Sequence, residues 1–144
     1  MINIFGKLML ECLILGDSLA VGVGQVRTEC VTHAKSGINS YDYVNRYLLH
    51  TKGDTQAKHV IISLGSNDTE KINTFEELDT LRQLVQADRV YWILPAIKEE
   101  KRKAVWAVAN KYHDRVIETR THDLSPDRIH PTGKGYKTIS NQTK

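Results

Sequence analysis

The sequence predicts an α/β fold built on a parallel sheet of about five strands, with helices on both faces. Three observations point to it. Apolar runs rich in β-branched and aromatic residues recur along the chain, each bounded by turn residues. They do not alternate strictly between apolar and polar, the pattern expected of strands buried on both faces. Segments with helical spacing lie between them, and alternating strands and helices imply parallel strands joined by right-handed crossovers.

The first run, LMLECLILG (8–16), ends in Gly16-Asp17-Ser18. A weaker candidate strand, ECVTHA (29–34), precedes KSGINS. A helical segment is expected over 41–50. The second clear run is HVIISLG (59–65), followed by Ser66-Asn67-Asp68. TFEELDTLRQLVQA reads as a helix with Thr74 as N-cap, Glu77 three residues on, and Leu78, Leu81, Leu84 and Val85 as the apolar stripe. RVYWILPA (89–96) is the next strand. KEEKRKAVWAVANKYH follows as a helix with Ala104, Val105, Val108 and Tyr112 on one face. DRVIET (114–119) is a shorter strand, and a short helix is expected over 133–140. Trp92 and Trp106 are expected in the core, with Tyr136 under the last loop.

At 144 residues, the chain suits a single domain, 1–144, with enough length to bury a core unaided. It is 40% hydrophobic and 26% charged, with a net charge of +3. That small excess, without a clustered basic stripe, argues against a nucleic-acid binder. KEEKRK (98–103) is expected as a solvated helix face, since two glutamates interrupt the cations. Cys12 lies in an apolar run and is expected to be a buried free thiol, with no disulfide framework from two cysteines. The first fifteen residues loosely resemble a signal peptide. Glu11 interrupts the apolar stretch, and cleavage there would remove the first strand, so a cytoplasmic location is expected. No apolar run is long enough to span a membrane. The histidines His33, His50, His59, His113 and His122 lack metal-ligand spacing, so neither a metal nor a cofactor is expected.

In such a sheet, sites form at the carboxyl ends of the strands. Four polar segments fall there: Gly16-Asp17-Ser18, KSGINS, GSND (65–68) and SPDRIHPTGKGY (125–136). A serine hydroxyl is a poor nucleophile until a base takes its proton. Histidine is suited to that task near neutral pH. Ser18 is therefore the candidate nucleophile and His130 the candidate base. Asp127, three residues earlier in a loop stiffened by Pro126 and Pro131, is the candidate that orients it. An oxyanion formed by attack needs preorganised donors. The N–H of Ser18, the N–H of Gly37 and the side-chain amide of Asn67 are groups of the right kind. The alternative for Ser18 is a helix N-cap. Asp17 is expected to bond backbone amides in its turn, and Asp68 to brace a loop.

Taken in order, GDSLAVG, the glycine of KSGINS, GSND and DRIHPT resemble the four blocks of the SGNH (GDSL) hydrolase family. The resemblance runs from about residue 10 to the end. It implies a three-layer α/β/α, flavodoxin-like fold and ester hydrolysis through a serine acyl-enzyme. It also implies Ser18, Asp127 and His130 as the triad, with Ser18, Gly37 and Asn67 as the oxyanion hole. The expected substrate is a small-molecule or carbohydrate ester with a short acyl group. Few residues remain for an acyl tunnel, and Lys35, Ser36, Asn39, Ser40, Ser66, Thr69 and Arg128 give the expected rim a polar character. Acyl transfer, thioester or lysophospholipid hydrolysis, and a silent binding module on the same fold remain open. The oligomeric state is not legible.

Overall fold

A computed structural model describes residues 9–51, 54–120 and 123–144. One parallel sheet is formed by β1 (Cys12–Gly16), β2 (Val31–Ala34), β3 (His59–Ser63), β4 (Arg89–Ile93) and β5 (Arg115–Ile117), in the order β2-β1-β3-β4-β5. The strand expected over 29–34 is thus real, pairing Leu13 with Val31 through Gly16 with Ala34. The expected start of the first run, Leu8, lies outside the described residues, as does His122.

Successive side chains of a strand point to opposite faces, and here both faces are covered. Cys12, Ile14, Ile61, Tyr91 and Ile117 pack beneath α1 (Ser18–Val26) and α6 (Gly133–Asn141). Leu13, Leu15, Val60, Ile62 and Trp92 pack on the other side, beneath α2 (Ser40–Asp42), α3 (Leu48–His50), α4 (Thr74–Leu84) and α5 (Glu99–Lys111). This is the three-layer α/β/α arrangement. The expected helix over 41–50 is interrupted by a π-helical stretch, Tyr43–Tyr47, between α2 and α3. Its two tyrosines are anchored to the sheet edge: Tyr43 Oη donates to the His33 carbonyl at 2.7 Å and Tyr47 Oη to that of Ala34 at 3.1 Å.

Several expectations are corrected. Cys12 is not a free thiol: it is bonded to Cys30, with Cα atoms 4.8 Å apart. The parallel register brings these residues together, since Leu13 faces Val31 across β1 and β2. Trp106 is half exposed rather than in the core, and Leu84 is also 50% exposed. On α5 the buried positions are Lys101, Arg102, Val105, Val108 and Ala109, so residue 106 turns away from the sheet. KEEKRK is therefore only partly a solvated face. Lys101 Nζ donates to the Ile72 carbonyl at 3.0 Å, and Arg102 grips Glu118 at 2.6 and 3.0 Å and the Pro95 carbonyl at 2.6 Å. Their aliphatic stems lie in the protein while their charged ends find partners. Asn73, not Thr74, caps α4, accepting from Glu76 N–H at 3.1 Å.

No helix among the described residues is long and apolar enough to cross a membrane.

Candidate active site

Ser18 stands at the carboxyl end of β1, as the first residue of α1. Two local features place it there. Gly16 has φ +140°, and a Cβ at that position would collide with the Ser63 carbonyl. The same carbonyl accepts the Asp17 N–H at 2.9 Å. Only glycine permits this close approach of β1 to β3. Asp17 then takes the capping role, accepting the Leu19 N–H at 3.1 Å through Oδ1. The N-cap reading of Ser18 is corrected accordingly. With the helix capped by its neighbour, the Ser18 hydroxyl is left to other partners.

Its partner is His130. Ser18 Oγ lies 2.8 Å from His130 Nε2, and His130 Nδ1 lies 2.7 Å from Asp127 Oδ2. The segment carrying these two residues is held as a closed loop. Arg128 N–H donates to Ser125 O at 2.8 Å, making a turn with Pro126 at its second position, a place that suits the fixed φ of proline. Ser125 N–H donates to His130 O at 2.7 Å, and Leu124 bridges Pro131 antiparallel. Arg128 itself adopts φ +59°, which reverses the chain between Asp127 and His130. Asp127 Oδ1 accepts the N–H groups of Ile129 and His130 at 2.9 and 3.0 Å. Its other oxygen is thereby aimed at the imidazole. The hydrogen bond from His130 is the main cause holding the Asp127 carboxyl down at about 2, helped by these two N–H groups. Asp127 is thus ionised at any pH near neutrality. An ionised acceptor at Nδ1 selects the tautomer with its proton there, leaving the Nε2 lone pair facing the serine hydroxyl.

Gly37 and Asn67 come to the same rim. The Lys35 N–H donates to Gly16 O at 2.9 Å, tying the loop after β2 to the end of β1. Asn67 Nδ2 donates to Ile38 O at 3.0 Å, joining the loop after β3 to that same loop. One amide hydrogen of Asn67 is used in this bond, and the NH2 group has a second. Gly37 is exposed, with φ +82°, and a Cβ there would meet nothing within 4 Å. Its backbone conformation, not its packing, asks for glycine. The N–H groups of Ser18 and Gly37 have no acceptor among the described residues. Asp68 braces the rim as expected, accepting the Ser40 N–H at 2.7 Å and the Thr74 hydroxyl at 2.7 Å.

Two supporting residues were not anticipated. Ser63, on β3, donates its hydroxyl to Asp17 Oδ1 at 3.0 Å. Lys98 Nζ donates to Asp68 O at 3.1 Å from the left-handed residue preceding α5. Both are ordinary polar residues beside strand ends, and only the strand pairing reveals what they touch. Of the residues expected on a polar rim, Ser40 and Ser66 are buried, while Lys35, Ser36, Thr69 and Arg128 are exposed. Tyr136 does not lie beneath the last loop alone. Its ring rests on Gly22 of α1, where a Cβ would overlap it, and burial pushes its hydroxyl up to about 12.

Burial also pushes the Asp17 carboxyl up to about 7, against the opposing hydrogen bonds from Ser63 and the α1 amides. A raised carboxyl binds its proton more tightly in the folded chain, so this stability is complete below about pH 4 and is lost as pH rises through 7. Every tenfold gain in proton affinity on folding contributes about 1.4 kcal/mol. Asp17→Asn keeps an oxygen acceptor and carries no proton to lose. Its stability relative to wild type, measured by urea unfolding, is expected to grow by about 3–4 kcal/mol between pH 4 and pH 8. A difference independent of pH would show that Asp17 does not titrate in this range.

Among the described residues, Cys12, Glu29 and Cys30 form a cluster of metal-ligating types, but both sulfurs are joined to each other and neither is a thiolate.

Against solved structures, the chain superimposes on a GDSL-like lipase from Bacteroides thetaiotaomicron with a TM-score of 0.66 at 18% identity, covering 92% of this chain and 84% of that one. The fold is that of the GDSL hydrolases. A carbohydrate acetylesterase family member from Sinorhizobium meliloti matches with a TM-score of 0.62 at 11% identity, covering 91% of this chain and 94% of that one. The C-terminal catalytic domain of a peptidoglycan O-acetyltransferase from Streptococcus pneumoniae, solved with a methylsulfonyl adduct, matches at 0.62 and 12%, covering 94% and 90%. No protein-family model matches the chain, and no curated protein matches its sequence.

Proposed function

We propose that the chain is a single-domain serine ester hydrolase of the SGNH family, with Ser18 as nucleophile, His130 as base and Asp127 as its orienting acid. The observation that carries the reading is the continuous relay from Ser18 Oγ to His130 Nε2 and from His130 Nδ1 to Asp127 Oδ2, at 2.8 and 2.7 Å. The silent-module alternative is disfavoured because a binding module has no need of that relay.

In this mechanism, His130 Nε2 takes the hydroxyl proton as Ser18 Oγ attacks the acyl carbon. The carbonyl electrons move to its oxygen, which the N–H groups of Ser18 and Gly37 and the free amide hydrogen of Asn67 receive. When the tetrahedral species collapses, His130 gives the proton to the departing alkoxide and the alcohol leaves. Water then attacks the acyl-serine carbon, with His130 taking its proton and returning it to Ser18 Oγ. One ester and one water become one acid and one alcohol. The Asp127 carboxylate stabilises the imidazolium in both halves.

Asn67→Ala is expected to lower kcat by about a hundred- to a thousandfold with little change in KM, because an oxyanion donor acts mainly in the transition state. Steady-state kinetics on a simple ester check this. A raised KM with kcat unchanged would make Asn67 a ground-state contact instead.

The acyl group is short, acetyl first, and the alcohol polar. The exposed polar side chains of Lys35, Ser36, Thr69 and Arg128 favour this, and the acetylesterase and acetyltransferase of the same fold make acetyl esters a reasonable class. Each methylene buried in an apolar tunnel gains roughly 0.8 kcal/mol, so an enzyme without one gains little from longer chains. Across p-nitrophenyl esters from acetyl to decanoyl, kcat/KM is expected to peak at acetyl. A maximum at octanoyl or beyond would overturn the short-acyl reading. The acetyltransferase likeness supports one second reading, in which a sugar hydroxyl rather than water takes the acyl group. The Cys12–Cys30 disulfide favours an oxidising location over the cytoplasmic one expected from sequence, since such bonds persist there.

A further inference from the structure

We propose that the cavity beside Gly37 binds an anionic group, a carboxylate or a phosphate, carried on the alcohol portion of the ester. The inference rests on the esterase reading and names its substrate class more narrowly. The cavity is about 330 Å³ and is lined by Lys35, Gly37, Asp42, Arg46, Tyr47 and His50, among others. Gly37, whose N–H is assigned to the oxyanion, is part of its lining. An ester whose carbonyl oxygen is held by that N–H would carry its remaining groups past this cavity.

The charge balance of the lining is one-sided. Lys35 and Arg46 are cations, and the imidazole of His50 is available as a donor. Asp42 is the one carboxylate lining it, and it is already engaged. Its Oδ1 lies 3.2 Å from Arg46 Nη1 and its Oδ2 accepts from Asn39 Nδ2 at 3.2 Å. Arg46 retains further N–H donors beyond that pair. Lys35 and His50 have no charged partner among the described residues. The walls are fixed in place by Tyr47, whose hydroxyl donates to Ala34 O at 3.1 Å, and by the π-helical stretch that carries Arg46. Lys35, Arg46 and His50 are all exposed at this cavity. With Asp42 paired to Arg46, the lining keeps an excess of one positive charge plus an imidazole, a balance that favours an anion over a neutral or cationic group. Tyr47 and Ile38 supply limited apolar surface, which suits a compact acid rather than a lipid tail.

The test compares two acetyl esters of matched shape, 4-acetoxybenzoate and its neutral amide, 4-acetoxybenzamide. The measured quantity is the ratio of their kcat/KM values in wild type and in Lys35→Gln and Arg46→Gln. That comparison cancels the intrinsic difference in leaving-group reactivity. Wild type is expected to favour the anion, and each variant to lower the ratio by roughly three- to tenfold at low salt, with the wild-type preference shrinking in 1 M NaCl. The same ratio in all three proteins would overturn the proposal. If that happens while the amide is still hydrolysed and a serine-reactive probe labels Ser18, the esterase reading survives and the anion site alone fails. If neither ester is hydrolysed and Ser18 is not labelled, both readings fail together.

Discussion

Ser18→Ala is expected to reduce ester turnover by several orders of magnitude while leaving the fold intact. The hydroxyl is the only atom removed, and it points at His130 Nε2 from 2.8 Å. It caps no helix, because Asp17 does that, and it is only partly buried and belongs to neither apolar layer. Stability is therefore expected to change by less than about 1 kcal/mol, the usual range for a substitution outside the core. Loss of a triad nucleophile removes the covalent route altogether, and what remains comes from binding and the oxyanion donors. Turnover above a tenth of wild type, in a variant whose circular dichroism matches wild type, would remove Ser18 from the mechanism.

His130→Ala is expected to be as severe as Ser18→Ala, and the double variant no worse than either single one. The two residues act on one proton, so once one is missing the other has nothing to do. Additive losses would mean that they serve separate steps. Asp127→Asn separates orientation from charge. Its Oδ1 can still accept the Ile129 and His130 N–H groups, at 2.9 and 3.0 Å in the wild type, so the loop should hold. The new NH2 would instead donate to Nδ1 and force the proton onto Nε2, where the serine needs a lone pair. The loss is expected to be large but roughly a hundredfold smaller than that of the serine or histidine variants. An Asp127→Asn enzyme near wild-type rates would point to another acid or to none.

The strands were legible because burial on both faces writes a continuous apolar run, as in LILG before Asp17 and VIIS before Leu64. The residues of the relay were legible because each follows a strand end or lies in the proline-bounded loop. α1 was not. Valine and glycine alternate through Val21, Gly22, Val23 and Gly24, residue types that favour helix weakly, and the helix is held by tertiary packing, with Tyr136 resting on Gly22. The disulfide was illegible for a similar reason. Cys12 and Cys30 lie 18 positions apart in sequence, and only the register of β1 on β2 brings them together. Lys101 and Arg102 looked solvated because their charge is visible in sequence and their carbonyl and Glu118 partners are not. The same applies to the cavity beside Gly37, whose cations come from two separate segments, the loop after β2 and the π-helical stretch.

The central claim is that Ser18 is an activated nucleophile, and covalent labelling tests it most directly. The purified protein is treated with a fluorophosphonate, digested and analysed by mass spectrometry, beside His130→Ala. The account predicts a single phosphonyl adduct on the peptide containing Ser18, and little or none in His130→Ala, where the proton acceptor is gone. An unlabelled Ser18 in folded wild-type protein, or equal labelling with and without His130, would contradict it.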